Sequence, residues 1–87
     1  MTNQTHRIKI LESFANAVYC GDKKFEVRKN DRGYQKGDYV EFIVLYDSDG
    51  CEYVDHPLSK YRFQINYVLS GWGIEEGYCV FGIIPVK

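Results

Sequence analysis

The sequence lacks the features that define several large protein classes. It has no apolar run near the roughly 20 residues of a transmembrane helix, and its start, MTNQTHRIKI, has no uninterrupted apolar segment typical of a signal peptide. Its three cysteines form neither a complete disulfide set nor a C-x-x-C motif, and its two histidines offer no zinc-ligand spacing. We therefore expect a cytoplasmic domain in a reducing compartment, without a metal, a cofactor or a membrane span.

The chain also has little length and little net charge. Its 87 residues leave room for one small domain, so we expect residues 1–87 to fold as a single unit. A formal net charge of −1 provides no general attraction to nucleic acid. What the chain does have is apolar surface to bury, because 45% of its residues are hydrophobic and 16% are aromatic. This composition indicates a folded, compact domain rather than a disordered chain.

The basic residues are unevenly distributed along the chain. Residues 23–36 contain six lysines and arginines against two acidic residues, which gives this segment a charge of +4. Since the whole chain carries −1, the rest of it carries −5. A cluster of this kind can be an ordinary solvated surface, but it is also where an anionic ligand would bind.

Alternation of apolar and polar residues predicts most of the secondary structure. The predicted strands cover residues 6–11, 23–29, 39–46, 61–69 and 77–86. A closed sheet removes exposed edges, and in a chain this short one packed helix can cover the rest of the core. We therefore predict an α+β fold, namely a small β-barrel of five to six strands with one main helix.

The helix is predicted between the first two strands. Its core-facing residues, at the i, i+3, i+4 and i+7 spacing, are Leu11, Phe14, Ala15 and Val18. Ser13 is the predicted N-cap, and Gly21 supplies the left-handed residue that ends the helix. His6 lies on the apolar side of the first strand, where we interpret it as a core histidine with satisfied polar atoms.

Residues that could carry chemistry are concentrated in the segment 21–28, which reads GDKKFEVR. Strand alternation puts Glu26 and Arg28 on one face, and Lys23 joins them only if the turn at Gly21 redirects it. One interpretation is a cleft between helix and barrel where the three side chains converge on a ligand. The other is an exposed ladder of charges, in which each pair contributes about 0–1 kcal/mol. The pattern by itself leaves both open.

A resemblance to a known family adds to this pattern. Gly21, Lys23, Glu26 and Arg28 stand in the order G-x-K-x-x-E-x-R, which resembles the signature of the ASCH domain, a branch of the PUA-like superfamily. The motifs F-E-V-R-x-N-D-R at 25–32, G-D at 37–38 and Y-V-L-x-G at 67–71 extend the similarity, over almost the whole chain, to stand-alone bacterial and phage ASCH-like domains. The resemblance implies a PUA-like barrel with an RNA or nucleotide ligand in its cleft.

Some ASCH proteins are small amidohydrolases that act on acylated cytidine with a lysine, a threonine three residues later and a more distant glutamate. Lys23 matches that lysine, whereas Glu26 stands at the threonine position, and a carboxylate cannot replace a hydroxyl without a change of mechanism. Glu75 or Glu76 could supply the later acid. We therefore expect a non-catalytic binding domain, with a hydrolase that uses Lys23 and Glu26 as the alternative, and a protein-interaction domain with an aromatic surface as a third.

The predicted site for RNA, a nucleotide or a nucleoside combines cations with polar and aromatic side chains. Its residues are Lys9, Lys23, Glu26, Arg28, Asn30, Arg32 and Trp72. We expect the cations to contact phosphate and Glu26 to accept a base amino group or to hold Arg28 in place. Asn30 beside Arg32 is either a clamp for phosphate or only a turn. Trp72, between two glycines, is either a stacking platform for a base or a packed aromatic.

Overall fold

The structure, a computed structural model, describes residues 3–86 as one sheet, one α-helix and one short 3-10 helix. The elements are β1 (Thr5–Leu11), α1 (Glu12–Tyr19), β2 (Phe25–Lys29), β3 (Tyr39–Leu45), the 3-10 helix (Pro57–Lys60), β4 (Arg62–Leu69) and β5 (Tyr78–Pro85). Every predicted strand is present. Neither helix in this range has the length and apolar content needed to cross a bilayer.

The five strands form a sheet in the order β1-β3-β4-β5-β2. β1 and β3 run parallel, and the other neighbours are antiparallel. The sheet curls into a half-barrel, with β1 and β2 as its two edges and no pairing between them within residues 3–86. The prediction was an α+β barrel of five to six strands with one main helix. The fold class, the main helix and a strand number within the predicted range are confirmed, although the described sheet curls without closing.

The core lies on the concave face of the sheet, beneath α1 and the 3-10 helix. Strand alternation directs every second side chain inward, and the buried strand residues are Ile8, Ile10, Val40, Phe42, Val44, Phe63, Ile65, Cys79, Phe81 and Ile83. The helices add Ala15, Val18 and Leu58. Tyr34, from the loop between β2 and β3, packs its ring 4.7 Å from the ring of Phe81. Burial of this apolar area is the main stabilising term of the fold.

The helix packs on the core through a narrower face than predicted. Ala15 and Val18 are buried, whereas Leu11 is 43% exposed and Phe14 is 51% exposed. The prediction that Leu11 and Phe14 pack in the core is wrong. Leu11 belongs to β1, where alternation turns it away from the face that carries Ile10, and Phe14 lines a cavity at the edge of the sheet.

The start of the helix also differs from the prediction. α1 begins at Glu12, Leu11 occupies the cap position, and no side chain of the cap residue bonds to the helix, so Ser13 is not the N-cap. Instead, the Ser13 backbone N–H donates to Asp47 Oδ1 at 3.3 Å. A carboxylate from a distant turn thus satisfies an otherwise free N–H at the positive end of the helix dipole. Gly21, with φ of +88°, ends the helix as predicted.

Two buried histidines connect loops to the framework. His6 Nε2 lies 2.8 Å from Asp38 Oδ2, and the same carboxylate accepts bonds from two backbone N–H groups. This confirms the interpretation of His6 as a core histidine with a polar partner. His56 Nδ1 accepts a bond from the Leu58 N–H at 3.0 Å, and its Nε2 lies 2.7 Å from Asn16 Oδ1. The start of the 3-10 helix is therefore fixed to α1.

Candidate functional site

A cavity of about 480 Å³ lies between the two edge strands. It is lined by Lys9, Ile10, Leu11, Phe14, Lys23, Phe25, Glu26, Val27 and Arg28. These residues come from β1, the first turn of α1, β2 and the turn before β2. The cavity therefore occupies the place where pairing of β1 with β2 would close the barrel, and its volume is in the range of small-molecule sites.

The polar centre of the cavity is the carboxylate of Glu26, whose side chain is 3% exposed. Arg28 donates to Glu26 Oε1 from Nε at 3.0 Å and from Nη2 at 2.7 Å. Lys23 Nζ donates to the other oxygen, Oε2, and to the backbone carbonyl of Phe25 at 2.7 Å. The structure thus brings Lys23, Glu26 and Arg28 together, with one cation on each carboxylate oxygen.

The turn after α1 brings Lys23 into this group. The backbone N–H groups of Asp22 and Lys23 both donate to the carbonyl of Ala17, at 2.9 and 3.0 Å, which folds the chain back onto the helix. The Lys23 ammonium then lies 5.7 Å from the ring centroid of Phe14 and 5.1 Å from that of Phe25. Cations at such distances are attracted by the negative faces of aromatic rings.

The cavity carries a positive charge despite its buried carboxylate. Three cationic side chains and one carboxylate line it, which gives a formal charge of +2. Lys9 is exposed and forms no ion pair within the part of the chain that the structure describes. Arg28 gives two of its five N–H donors to Glu26, which leaves three for a ligand. These groups can bind an anion against the apolar walls.

The open edges of β1 and β2 add backbone groups to the cavity. In a strand with one neighbour, every second residue directs its backbone N–H and C=O groups to that neighbour. The backbone groups of the residues between them point to the open edge. Arg32 Nη1 donates to one such carbonyl, that of Arg7, at 2.7 Å, and Lys23 covers another on β2. By the same alternation, the backbone groups of Lys9 and Val27 face the cavity and are available to a ligand.

Three of the predicted site residues do not line the cavity. Asn30 Oδ1 accepts a bond from the Tyr34 N–H at 3.3 Å, a contact that favours its interpretation as a turn residue. Arg32 is engaged with the edge of β1. Trp72 lies in the loop between β4 and β5 and is 92% exposed, so it is not a packed core aromatic.

Sequence reasoning missed the apolar walls of the cavity. The helical spacing predicts Leu11 and Phe14 in the core, and the predicted site contains neither Phe25 nor Val27. All four are between 43% and 54% exposed. Leu11, Phe25 and Val27 lie on the faces of β1 and β2 that point away from the core, and Phe14 lies in the first turn of α1. Their meeting at one cavity depends on the position of β1 and β2 at the two edges of the sheet.

The titratable groups with clearly shifted pKa values lie outside the cavity. Burial raises the pKa of the Tyr34 hydroxyl, and the guanidinium groups of Arg32 and Arg28 oppose this shift. Burial also raises the pKa of the Cys79 thiol, so this cysteine is an unreactive core residue rather than a nucleophile. Residues 3–86 contain no group of three or more His, Cys, Asp or Glu side chains that could hold a metal ion.

Comparison with known proteins gives a family match. The family model described as "Domain of unknown function (DUF3850)" matches residues 5–83. The matched range starts with β1, ends within β5 and contains every residue that lines the cavity. No curated protein matches the chain.

Proposed function

The chain belongs to the DUF3850 family of domains of unknown function, and we propose that it binds a nucleotide, free or as a unit of RNA, in the cavity between β1 and β2. One observation carries this proposal: cationic side chains with unused donors stand beside aromatic walls in a single cavity of about 480 Å³. A nucleotide combines the same two properties, because its phosphate is anionic and its base is flat and largely apolar on its faces.

The phosphate would bind between Lys9 and Arg28. Among the cations of the cavity, Lys9 forms no ion pair within residues 3–86. Arg28 keeps three N–H donors beyond the two that bond to Glu26. Bonds from ammonium and guanidinium groups to phosphate oxygens are roughly twice as strong as neutral ones. The base would lie against Phe14 and Phe25, and base–aromatic stacking contributes about 1–3 kcal/mol per base.

Glu26 would act as a positioning residue. Both of its oxygens already accept bonds from cations, which favours a role in orienting Arg28 over direct contact with a base amino group. A guanidinium held at two points by a carboxylate loses little further freedom when it binds phosphate, so the site is preorganised.

We also propose that DUF3850 domains are relatives of the ASCH domains, with a PUA-like fold. Support comes from the G-x-K-x-x-E-x-R motif, from the arrangement of one helix against a curled five-stranded sheet, and from the convergence of the motif residues Lys23, Glu26 and Arg28 at a cavity beside the helix.

The binding proposal is tested by calorimetry with nucleoside 5′-monophosphates and the matching nucleosides. We expect Lys9→Gln to weaken nucleotide binding at least tenfold, since a bond to a charged group contributes about 1.5–3 kcal/mol and about 1.4 kcal/mol is tenfold in affinity, and to leave nucleoside binding unchanged. Lys60→Gln is the matched control, because Lys60 is an exposed lysine at the end of the 3-10 helix and outside the cavity. Absence of nucleotide binding to the wild-type protein, or equal loss in both variants, would contradict the proposal.

The contact between Lys23 and Glu26 supports a second candidate, hydrolysis of acylated cytidine. If these residues are a catalytic pair, Lys23→Ala and Glu26→Gln abolish turnover and leave substrate affinity largely intact, because the lost interactions act mainly in the transition state. Against this candidate, Glu26 already accepts three bonds from two cations, which leaves it one acceptor position for a proton from water. Turnover by the wild-type protein that disappears in Lys23→Ala would favour the enzyme over the binding domain.

A further inference from the structure

The convex face of β2, β5 and β4 is aromatic and apolar although it is exposed. Alternation directs Phe25, Val27, Lys29 and Tyr78 away from the core. In β4, the register shift between Ile65 and Tyr67 turns Tyr67 and Leu69 to the same exposed side, and we call these six residues the aromatic face. Phe25 is 46% exposed and Tyr67 is 63% exposed. These residues form one cluster, unlike the single exposed apolar residues that are normal on protein surfaces.

Strand register arranges the aromatic face in rungs. Phe25 lies opposite Gly82, which lies opposite Tyr67, and Lys29 lies opposite Tyr78. Gly82 leaves a gap between the two aromatic side chains of its rung, and a Cβ there would overlap Asn66 Oδ1. The Asn66 carboxamide therefore lies over Gly82, and it offers both a donor and an acceptor between two aromatic residues.

The aromatic face is continuous with the cavity. Phe25 and Val27 belong to both, because the cavity opens at the edge strand β2. At the other end, Lys29 leads into the rest of the basic segment 23–36, and the Asn30 N–H donates to the Gly77 carbonyl at 2.8 Å. This bond joins the basic loop to the loop between β4 and β5.

The loop between β4 and β5 presents Trp72 at this far end. Trp72 has φ of +53°, a left-handed conformation that is unfavourable for a bulky side chain, between Gly71 and Gly73 that also have positive φ. The Ile74 N–H donates to the Gly71 carbonyl at 3.0 Å and closes the turn. Strained residues of this kind are held by their surroundings and cluster at ligand sites.

We infer that the aromatic face binds a single-stranded nucleic acid, one nucleotide of which occupies the cavity, so that the ligand is a short strand rather than a free nucleotide. This inference rests on the proposed function. β2 spans about 13 Å from Phe25 to Lys29 at about 3.3 Å per residue, which accommodates about four bases at a stacking rise of about 3.4 Å. Tyr67 and Tyr78 offer rings for stacking, and Lys29 offers a charge for phosphate.

The size of the face favours this ligand over a second copy of the chain. Three strands about 4.8 Å apart and about five residues long cover on the order of 200–300 Å², whereas each partner of a stable complex buries about 800 Å². Bases need far less area, because each one stacks on a single ring. The positive charge of the adjacent segment also suits a polyanion.

The inference is tested by the affinity for oligouridylates of one, two, four and six nucleotides. We expect affinity to rise at least tenfold from one to four nucleotides and then to level off. We expect at least a fivefold loss of affinity for the four-nucleotide strand in Tyr67→Ala and in Tyr78→Ala. Affinity for the mononucleotide should stay unchanged in both variants. Tyr67→Phe retains binding, because the ring stacks without its hydroxyl. Tyr61→Ala is the matched control, since Tyr61 is 47% exposed beside α1, where its ring packs against Tyr19.

Trp72 provides a second readout, because it is the only tryptophan in the sequence. Its fluorescence should change with the four-nucleotide strand and remain constant with the mononucleotide. Mononucleotide binding without any gain from a longer strand would overturn the inference and leave the proposed function standing, whereas no binding at any length would remove both. A wild-type dimer that Tyr67→Ala and Tyr78→Ala dissociate, with strand affinity unchanged, would make the aromatic face a protein interface and also overturn the inference.

Discussion

Replacement of Glu26 by glutamine tests the group at the centre of the cavity. The Glu26 carboxylate is 3% exposed, accepts two bonds from Arg28 at 3.0 and 2.7 Å, and accepts a third from Lys23. Glutamine keeps the shape but has one acceptor oxygen, so its NH₂ group would have to face either the ammonium or the guanidinium, donor against donor. The substitution therefore removes a charge and leaves one cation without a partner.

The expected loss follows from the burial of the three side chains. Two unit charges about 4 Å apart attract by about 4 kcal/mol at an effective dielectric constant of about 20, and breaking a buried pair costs about 3–5 kcal/mol. The side chains of Lys23 and Arg28 are 18% and 25% exposed, so water can solvate them in part after the change. We therefore expect Glu26→Gln to lower the free energy of unfolding by about 3 kcal/mol, which is about 12–24 °C in Tm for a domain of this size.

Urea unfolding followed by circular dichroism measures this loss, with a matched control on the surface. Glu41 also contacts two cations, Arg7 at 3.9 Å and Arg62 at 3.7 Å, but its side chain is 41% exposed. Exposed pairs contribute about 0–1 kcal/mol, so Glu41→Gln should have little effect. Adding Lys23→Met to Glu26→Gln should recover part of the stability, because it removes the unpaired cation. If the two glutamine variants lose the same stability, the argument from burial is refuted.

The helix, the buried thiol and the loop tyrosine each provide a further test. Phe14→Ala should lower the free energy of unfolding by less than about 1 kcal/mol, because half of the side chain is already exposed. Val18→Ala should lower it by about 2 kcal/mol, because two buried methyl groups are lost and a cavity remains. The reverse order in urea unfolding would contradict the packing of α1. Ellman's reagent should modify two thiols of the native protein quickly and Cys79 only at the rate of unfolding, and equal rates for all three would contradict its burial. Burial raises the pKa of Tyr34 from its ordinary value of 10.0 and that of Cys79 from 9.0, so the folded state holds both protons more tightly. The stability that these two protons contribute is fully present below the ordinary pKa values and is lost as the pH rises through the raised pKa values of the folded state. Tm should therefore fall above about pH 9, and it should fall less in Tyr34→Phe. Identical pH profiles of Tm for Tyr34→Phe and the wild-type protein would contradict this assignment.

The local pattern of the sequence was sufficient to predict the strands and the helix. In β1, His6, Ile8 and Ile10 alternate with polar residues, and the structure buries these three while it exposes their neighbours. Successive side chains of a strand point to opposite faces, so the alternation in β1 matches the burial of one of its faces. The break at Gly21 follows equally from local chemistry, since its φ of +88° is accessible to glycine at little cost.

The group around Glu26 was predictable in part. Alternation placed Glu26 and Arg28 on one face, and the joining of Lys23 depended on the turn at Gly21, which the structure contains. Whether that face was exposed or buried did not follow from the sequence. Charged residues in a strand usually face solvent, but Glu26 lies opposite the buried Phe81 on the core side of β2 and is 3% exposed.

Strand order is what only the tertiary structure decided. The order β1-β3-β4-β5-β2 places the first two strands of the chain at opposite ends of the sheet, and the curl of the sheet places them on either side of one cavity. This order depends on contacts between residues far apart in the chain, such as Thr5 with Tyr39 and Lys29 with Tyr78, which leave no mark in the spacing of neighbouring residues. The sequence by itself therefore determined which segments form strands, which side chains of a strand share a face and where the helix ends. Long-range pairing determined which strands form the edges, and through them the exposure of Leu11 and Phe14 and the existence of the cavity.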